Sequence, residues 1–298
     1  MKKKIIGLLA SLILLGGCFN MNEKTEQGKA QEKAQEKAQE GTTPVQDYVG
    51  QGYSFVDGDK SAERVKKHEE EIKQEAINYM KTKYKTDVKV NNVVPARNGA
   101  VVIVESEAPI QFTTSVVVKF LLNKKDEIGS GTSDEGAVEQ AIVGGLYAKA
   151  YEEEFKHLDE VTEKLASKND LEGFTQEALD KTSPSGHQGK YYFITAINDD
   201  YLSVYNAYLN NTQISSKELQ ALFIKDDPTS KNMTIVVNYF SKNDKLPKQA
   251  VVDNLADEFQ KESNLPRAFY PINLFKNLIV NRVGLPDGEH IQAEVFIK

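Results

Sequence analysis

The sequence predicts an α+β fold, with mainly antiparallel sheet and packed helices, behind a signal peptide and a flexible tether. Three observations predict it. Segments rich in β-branched residues come in groups rather than alternating regularly with helical ones, which disfavours a parallel, doubly wound sheet. Apolar residues make up 40% of 298 positions, enough to bury a sizeable core. The first 44 residues, by contrast, hold one short apolar run and then almost no large apolar side chain.

In chain order, Met1-Lys2-Lys3-Lys4 is a positive region and Ile5 to Leu15 an unbroken run of small and apolar residues. At ~1.5 Å per residue such a helix covers roughly half of a ~30 Å hydrocarbon core, so it reads as the core of a signal peptide and not as a span. Leu15-Gly16-Gly17-Cys18 follows. It resembles the lipobox of bacterial lipoproteins, in which small residues fit a narrow protease cleft and the thiol is the nucleophile that accepts a diacylglycerol. Residues 1–17 are then the signal peptide, with Leu15, Gly16 and Gly17 as its recognition residues and Cys18 as the lipidated first residue of the mature chain. Cys18 is the only Cys, so the lipidated protein carries no free thiol, which suits an oxidising exterior. Cleavage removes three lysines and no acid, taking the formal charge from −7 to −10. Anionic lipid repels such a body, leaving the acyl chains, a palmitate among them, as its hold on the membrane.

Residues 18–44 read as a tether. Gln31-Glu32-Lys33-Ala34 repeats as Gln35-Glu36-Lys37-Ala38, a period that allows Glu–Lys pairs on a helix but buries nothing. A coil of about 25 residues holds the body roughly 25–30 Å from its anchor. Gly41-Thr42-Thr43-Pro44 ends it, and the folded part is expected to start near Val45.

A long helix is predicted over 61–84, where Val65, Ile72, Ala76, Tyr79, Met80 and Tyr84 keep the 3.6-residue period and Ser61 is a plausible N-cap. Strands follow at 88–94, 100–105 and 112–122, and their weak alternation at Val101-Val102-Ile103-Val104 marks them as covered on both faces. Helix returns over 135–158, with Gly144-Gly145 in its middle as a point of close packing. The polar stretch 167–189 reads as a boundary between lobes 45–182 and 183–298. Beyond it come a strand (190–196), two helices (199–209 and 215–225), a strand (233–240), a helix (248–262) and strands at 268–275, 278–282 and 291–297. Two similar lobes from a duplicated unit are conceivable on this layout, but the sequence shows no repeat strong enough to claim one.

Three stretches carry a wider resemblance: Val45-Gln46-Asp47-Tyr48-Val49-Gly50-Gln51-Gly52-Tyr53, Gly144-Gly145-Leu146-Tyr147-Ala148 and Tyr191-Tyr192-Phe193-Ile194. With the lipobox, they resemble an uncharacterised lipoprotein family of Staphylococcus, Bacillus and their relatives, catalogued as domain of unknown function 1672. The resemblance implies a Gram-positive lipoprotein on the outer face of the cytoplasmic membrane, and supplies no catalytic residues.

Chemistry is sparse. His68, His157, His187 and His290 are isolated, no His-x-x-x-His pair exists, and no zinc site can be written from spacing. His68 and His157 sit on charged stretches and read as solvated. Gly186-His187-Gln188-Gly189-Lys190-Tyr191 lacks the Gly and the Ser/Thr of a phosphate loop and reads as an exposed turn, yet it is the best place for mobile functional backbone. Asp57-Gly58-Asp59-Lys60-Ser61 begins like a calcium loop, but Ala62 and His68 stand where an EF-hand needs Gly and Glu. Carboxylates for a dispersed acid–base pair are available at Glu105, Glu107, Asp134 and Glu135. Tyr48, Tyr53 and Phe55 form either an N-terminal strap packed on the body or a recognition strip for a partner.

The expected function is a membrane-anchored, non-catalytic binding or interaction module at the cell envelope, with no cofactor beyond its covalent lipid. Its partner is an unidentified envelope protein or ligand, and the acidic charge argues against nucleic acid. A solute-binding lipoprotein for a small ligand is the alternative, and an envelope hydrolase a third reading.

Overall fold

A computed structural model describes residues 41–298 apart from 122, 123, 125, 126, 183–185, 197, 294, 295 and 298. Leu15, Gly16, Gly17 and Cys18 therefore lie outside the described residues. Residues from Glu40 onward form one compact unit. Among the described residues, eight α-helices and antiparallel-dominated sheets make it α+β, as the grouping of strands predicts.

The first sheet is a four-stranded antiparallel meander of Lys89–Ala96, Gly99–Ser106, Phe112–Phe120 and Ile128–Thr132. Its Gly99–Ser106 strand is buried at every position, as its unbroken apolar run requires. Ala100, Val102 and Val104 join the main core, which helix Glu69–Tyr84 enters through Ile72, Ala76, Met80 and Tyr84. Helix Gln176–Thr182 packs against the same sheet, with Asn92 Nδ2 donating to Lys181 O at 3.0 Å.

The second sheet has eight strands built around Met233–Ser241. Tyr192–Ala196 and Leu171–Glu172 pair antiparallel along one edge of that strand, while Phe269 and Ile272–Phe275 run parallel along the other. Helix Ala137–Ala150 lies between the sheets, touching both Phe112–Phe120 and Tyr192–Ala196. Ten of its fourteen residues are buried, which explains its lack of a polar face.

Several boundaries differ from expectation, each for a physical reason. The predicted helix 61–84 is interrupted at His68, between Ala62–Lys67 and Glu69–Tyr84. Ser61 makes no side-chain cap, and His68 turns inward instead of to solvent, its ring 6.4 Å from Phe120 with the Arg64 guanidinium 4.0 Å over that same Phe120 ring. The helix expected over 135–158 becomes Ala137–Ala150 and Glu152–Lys168, broken at Tyr151, because Val161, Thr162, Leu165 and Ala166 prolong the buried stripe. The stretch read as a boundary holds helix Gln176–Thr182, and Leu171–Glu172 before it joins the second sheet. One cluster of buried side chains runs from Val65 to Ala293, so residues 45–182 and 183–298 share a core.

The chain enters the fold three residues before Val45. Thr42–Thr43 pairs antiparallel with Ile279–Val280, and Val45 N donates to Asn277 Oδ1 at 2.8 Å. Val45 and Tyr48 then sink into a second cluster with Ala178, Phe240 and Ile279. Tyr48 is fully buried, its hydroxyl donating to Asn281 O at 2.9 Å and its carbonyl accepting from Thr175 Oγ1 at 2.6 Å. The segment is a strap, and Tyr48 is unavailable to any partner. Tyr53 and Phe55 stay half-buried, edge to face at 5.5 Å.

Candidate functional site

A cleft of about 340 Å³ opens where three remote segments meet. Glu107, Pro109, Ile110 and Gln111, between two strands of the first sheet, form one wall. Gly145, Ala148, Lys149, Glu152, Phe155, Lys156 and Asp159 line it from the paired helices, and His187 and Tyr192 close it from the second sheet. The helix comes close to the loop backbone because position 145 has no side chain: a Cβ there would stand 2.9 Å from Gln111 O. At Gly144 the nearest atom would be 3.7 Å away, so only the second glycine is demanded by close approach.

The cleft floor is aromatic. Phe155 meets His187 edge to face at 5.5 Å and Tyr192 at 6.0 Å, and His187 lies 6.4 Å from Tyr192. Beneath, Tyr147 packs on Phe155 at 5.9 Å and on Phe223 at 4.9 Å. The loop that carries His187 is not an exposed turn. Gly186 is buried and exchanges two backbone hydrogen bonds with Thr113, at 3.0 and 2.9 Å, which pins His187 under the helix. Its Nδ1 lies 3.2 Å from Gln111 O. A carbonyl only accepts, so Nδ1 carries the proton and Nε2 is left as an acceptor. Burial lowers the imidazole pKa from 6.5 to about 4, against the opposing effect of the Gln111 carbonyl, so His187 is neutral at pH 7.

Charge is distributed unevenly around the rim. Lys156 is held by Glu152 at 3.0 Å and Glu153 at 2.8 Å, and Glu107 is held by Lys89. Among the described residues Lys149 and Asp159 have no ion-pair partner. The protein around Asp159 raises its carboxyl above the usual range, and the Tyr192 hydroxyl, acting as donor, opposes that shift only in part. Gln111 Oε1 is buried without a hydrogen-bond partner. A second hollow, of about 380 Å³, is walled by Lys66 to Glu71 alone, mostly exposed charged side chains of one helical stretch, and offers no converging polar groups.

The other residues singled out from the sequence lie elsewhere. Asp57 is occupied by Lys60 and Arg97, each at 2.6 Å, and these cations lower its pKa, Lys60 foremost. Glu105 accepts from Asn91 at 2.8 Å and shares Lys89 with Glu107, while Asp134 and Glu135 are exposed. Ser133 ties Tyr79 (2.8 Å) to Tyr84 (3.3 Å) and so joins its loop to helix Glu69–Tyr84. His157 stands at the surface, 3.8 Å from both Glu160 and Glu262. No group of three or more His, Cys, Asp or Glu positioned for a metal occurs among the described residues.

The model of a protein family of unknown function, DUF1672, matches residues 35–296. The chain belongs to the DUF1672 family. The crystal structure of a DUF1672 family protein from Staphylococcus aureus subsp. aureus Mu50 superposes with a TM-score of 0.69 at 24% identity, covering 84% of this chain and 96% of that one. The likeness establishes a shared fold. No curated protein matches the chain. Two of the three stretches that carry the family resemblance border the cleft, through Gly145 and Ala148 in one and Tyr192 in the other.

Proposed function

We propose that this DUF1672 protein is a lipoprotein anchored through Cys18 on the outer face of a Gram-positive cytoplasmic membrane, and that its body is a non-catalytic module that binds a ligand in the Phe155–His187 cleft. The observation that carries the reading is the cleft itself. It combines an aromatic floor, unmet hydrogen-bond acceptors and unpaired charges, which is the composition of a recognition site. Its titratable groups suit binding better than proton transfer: His187 is neutral far below physiological pH and its Nδ1 proton is committed to a backbone carbonyl.

The anchor is supported by the lipobox-like Leu15-Gly16-Gly17-Cys18 behind a short apolar run, and among the described residues no helix is long and apolar enough to cross a membrane. Feeding cells an alkyne fatty acid and reading its incorporation tests this part. The native chain is expected to take up label and pellet with membranes, and Cys18→Ser to do neither. Equal labelling of both chains contradicts the anchor.

A further inference from the structure

The chain enters the folded body on a face with no charge in its outward row. Gly41, the first described residue, accepts from Asn281 N at 2.9 Å. Thr42–Thr43 then forms a small antiparallel sheet with Ile279–Val280 and Leu285–Pro286. Across its three strands Thr42 stands opposite Val280, and Val280 opposite Leu285. Directly paired residues share a face of a pleated sheet, so these three make one row, and Thr43, Ile279 and Pro286 make the other. Ile279 is fully buried in the cluster beneath the strap, which turns its row inward. The row of Thr42, Val280 and Leu285 therefore faces outward, and Leu285 is 48% exposed.

The surroundings of this row are of the same kind. Arg282 is the one charged residue from Leu278 to Pro286, and its sign suits a lipid phosphate. Ser54 N donates to Arg282 O at 3.1 Å, which sets the half-buried Tyr53 and Phe55 near the turn. Asp287, just beyond, is held by Lys276 at 3.5 Å.

We propose that this hairpin face rests on the lipid surface that holds the anchor, with Leu285 among the headgroups and Arg282 at their phosphates. The proposal rests on the reading that Cys18 is lipidated. Cys18 lies 23 positions before Gly41 (41 − 18), so the point where the chain enters the body is the point held nearest the membrane. Anionic lipid repels the acidic faces of the body, and this one offers it no carboxylate in its outward row. So small an apolar patch does not hold a free protein on a bilayer. A tether raises its effective concentration there, and weak contacts are then enough.

The test is spin-label accessibility in the full chain, purified with its lipid and placed in vesicles of phosphatidylcholine and phosphatidylglycerol. Acylation occupies Cys18, so Leu285→Cys or Leu202→Cys introduces the one free thiol. Leu202, 51% exposed on helix Leu202–Asn210, is the control of matched exposure. The reference is the same labelled position in the unlipidated Cys18→Ser chain in solution. On vesicles, the collision rate of the Leu285 label with an aqueous nickel complex is expected to fall several-fold, and that of the Leu202 label to stay unchanged. Thr42→Asp, which puts a carboxylate into the outward row, is expected to restore access at Leu285. Equal access at both positions on vesicles overturns the proposal, as does shielding of Leu202 in place of Leu285. Shielding of Leu285 already in the Cys18→Ser chain overturns it too and assigns the face to a second copy. A chain that takes a second label at Cys18 and stays in solution removes the anchor reading, and the proposal with it.

Discussion

Lowering the pH from 6.5 to 4 is expected to cost the protein about 3 kcal/mol through His187 alone. The unfolded imidazole takes its proton near pH 6.5, whereas the folded one, enclosed by Phe155, Tyr192 and the Gln111 carbonyl, takes it only near 4. Throughout that window the unfolded state holds the extra proton. Stability is therefore fully present above 6.5, falls as the pH drops, and levels out below 4. Asp159 works in the opposite sense, because its raised pKa lets the folded state take up a proton first. The clean observable is thus a difference. Urea denaturation of the native chain and of His187→Gln, which keeps a donor for Gln111 O but does not titrate, should show parallel curves above pH 7 that separate towards pH 4. Equal pH dependence in the two chains contradicts an imidazole held neutral by the fold.

The second large effect is expected at the strap. Tyr48→Ala should destabilise the fold by about 3–5 kcal/mol, because the ring is fully buried and its loss leaves a cavity between helix Gln176–Thr182 and Phe240. Tyr48→Phe keeps the packing and loses only the bond to Asn281 O, at about 0.5–1.5 kcal/mol. Thermal unfolding of the two variants should separate them by several degrees. If Tyr48→Ala melts with the native chain, the strap is not part of the folded unit, and Tyr48 returns as a candidate for partner recognition.

Fold class and most elements were legible because periodicity and β-branched runs report burial directly. The Gly99–Ser106 strand is the clearest instance, its unbroken Val-Val-Ile-Val being the mark of a strand covered on both faces. What was missed had a conflicting local signal. Ile128–Thr132 contains Gly129, Ser130 and Gly131 and reads as loop, but position 131 must be bare because a Cβ there would meet Tyr79 Cβ at 2.9 Å. Helix Glu152–Lys168 continues a buried stripe, Phe155, Leu158, Val161 and Leu165, whose second half is masked by the charged residues between. The break at His68 has no sequence signal, since it arises from packing on Phe120, 52 positions further along the chain (120 − 68).

The cleft was legible only in fragments. Gly145, His187 and Tyr192 each stood in a stretch already singled out, yet nothing local joins them, and Lys149 and Asp159 are unremarkable charges on a charged helix. Their significance comes from what they lack, an ion-pair partner, and only tertiary structure reports that.

The central claim is that the DUF1672 body recognises its ligand in this cleft and not at the strap. Amide chemical shifts of the isotope-labelled full chain, titrated with a soluble digest of Gram-positive cell wall, test it most directly. The account predicts changes confined to Glu107–Gln111, Gly145–Asp159 and His187–Tyr192. Changes centred on Tyr53 and Phe55, with the cleft silent, would contradict it.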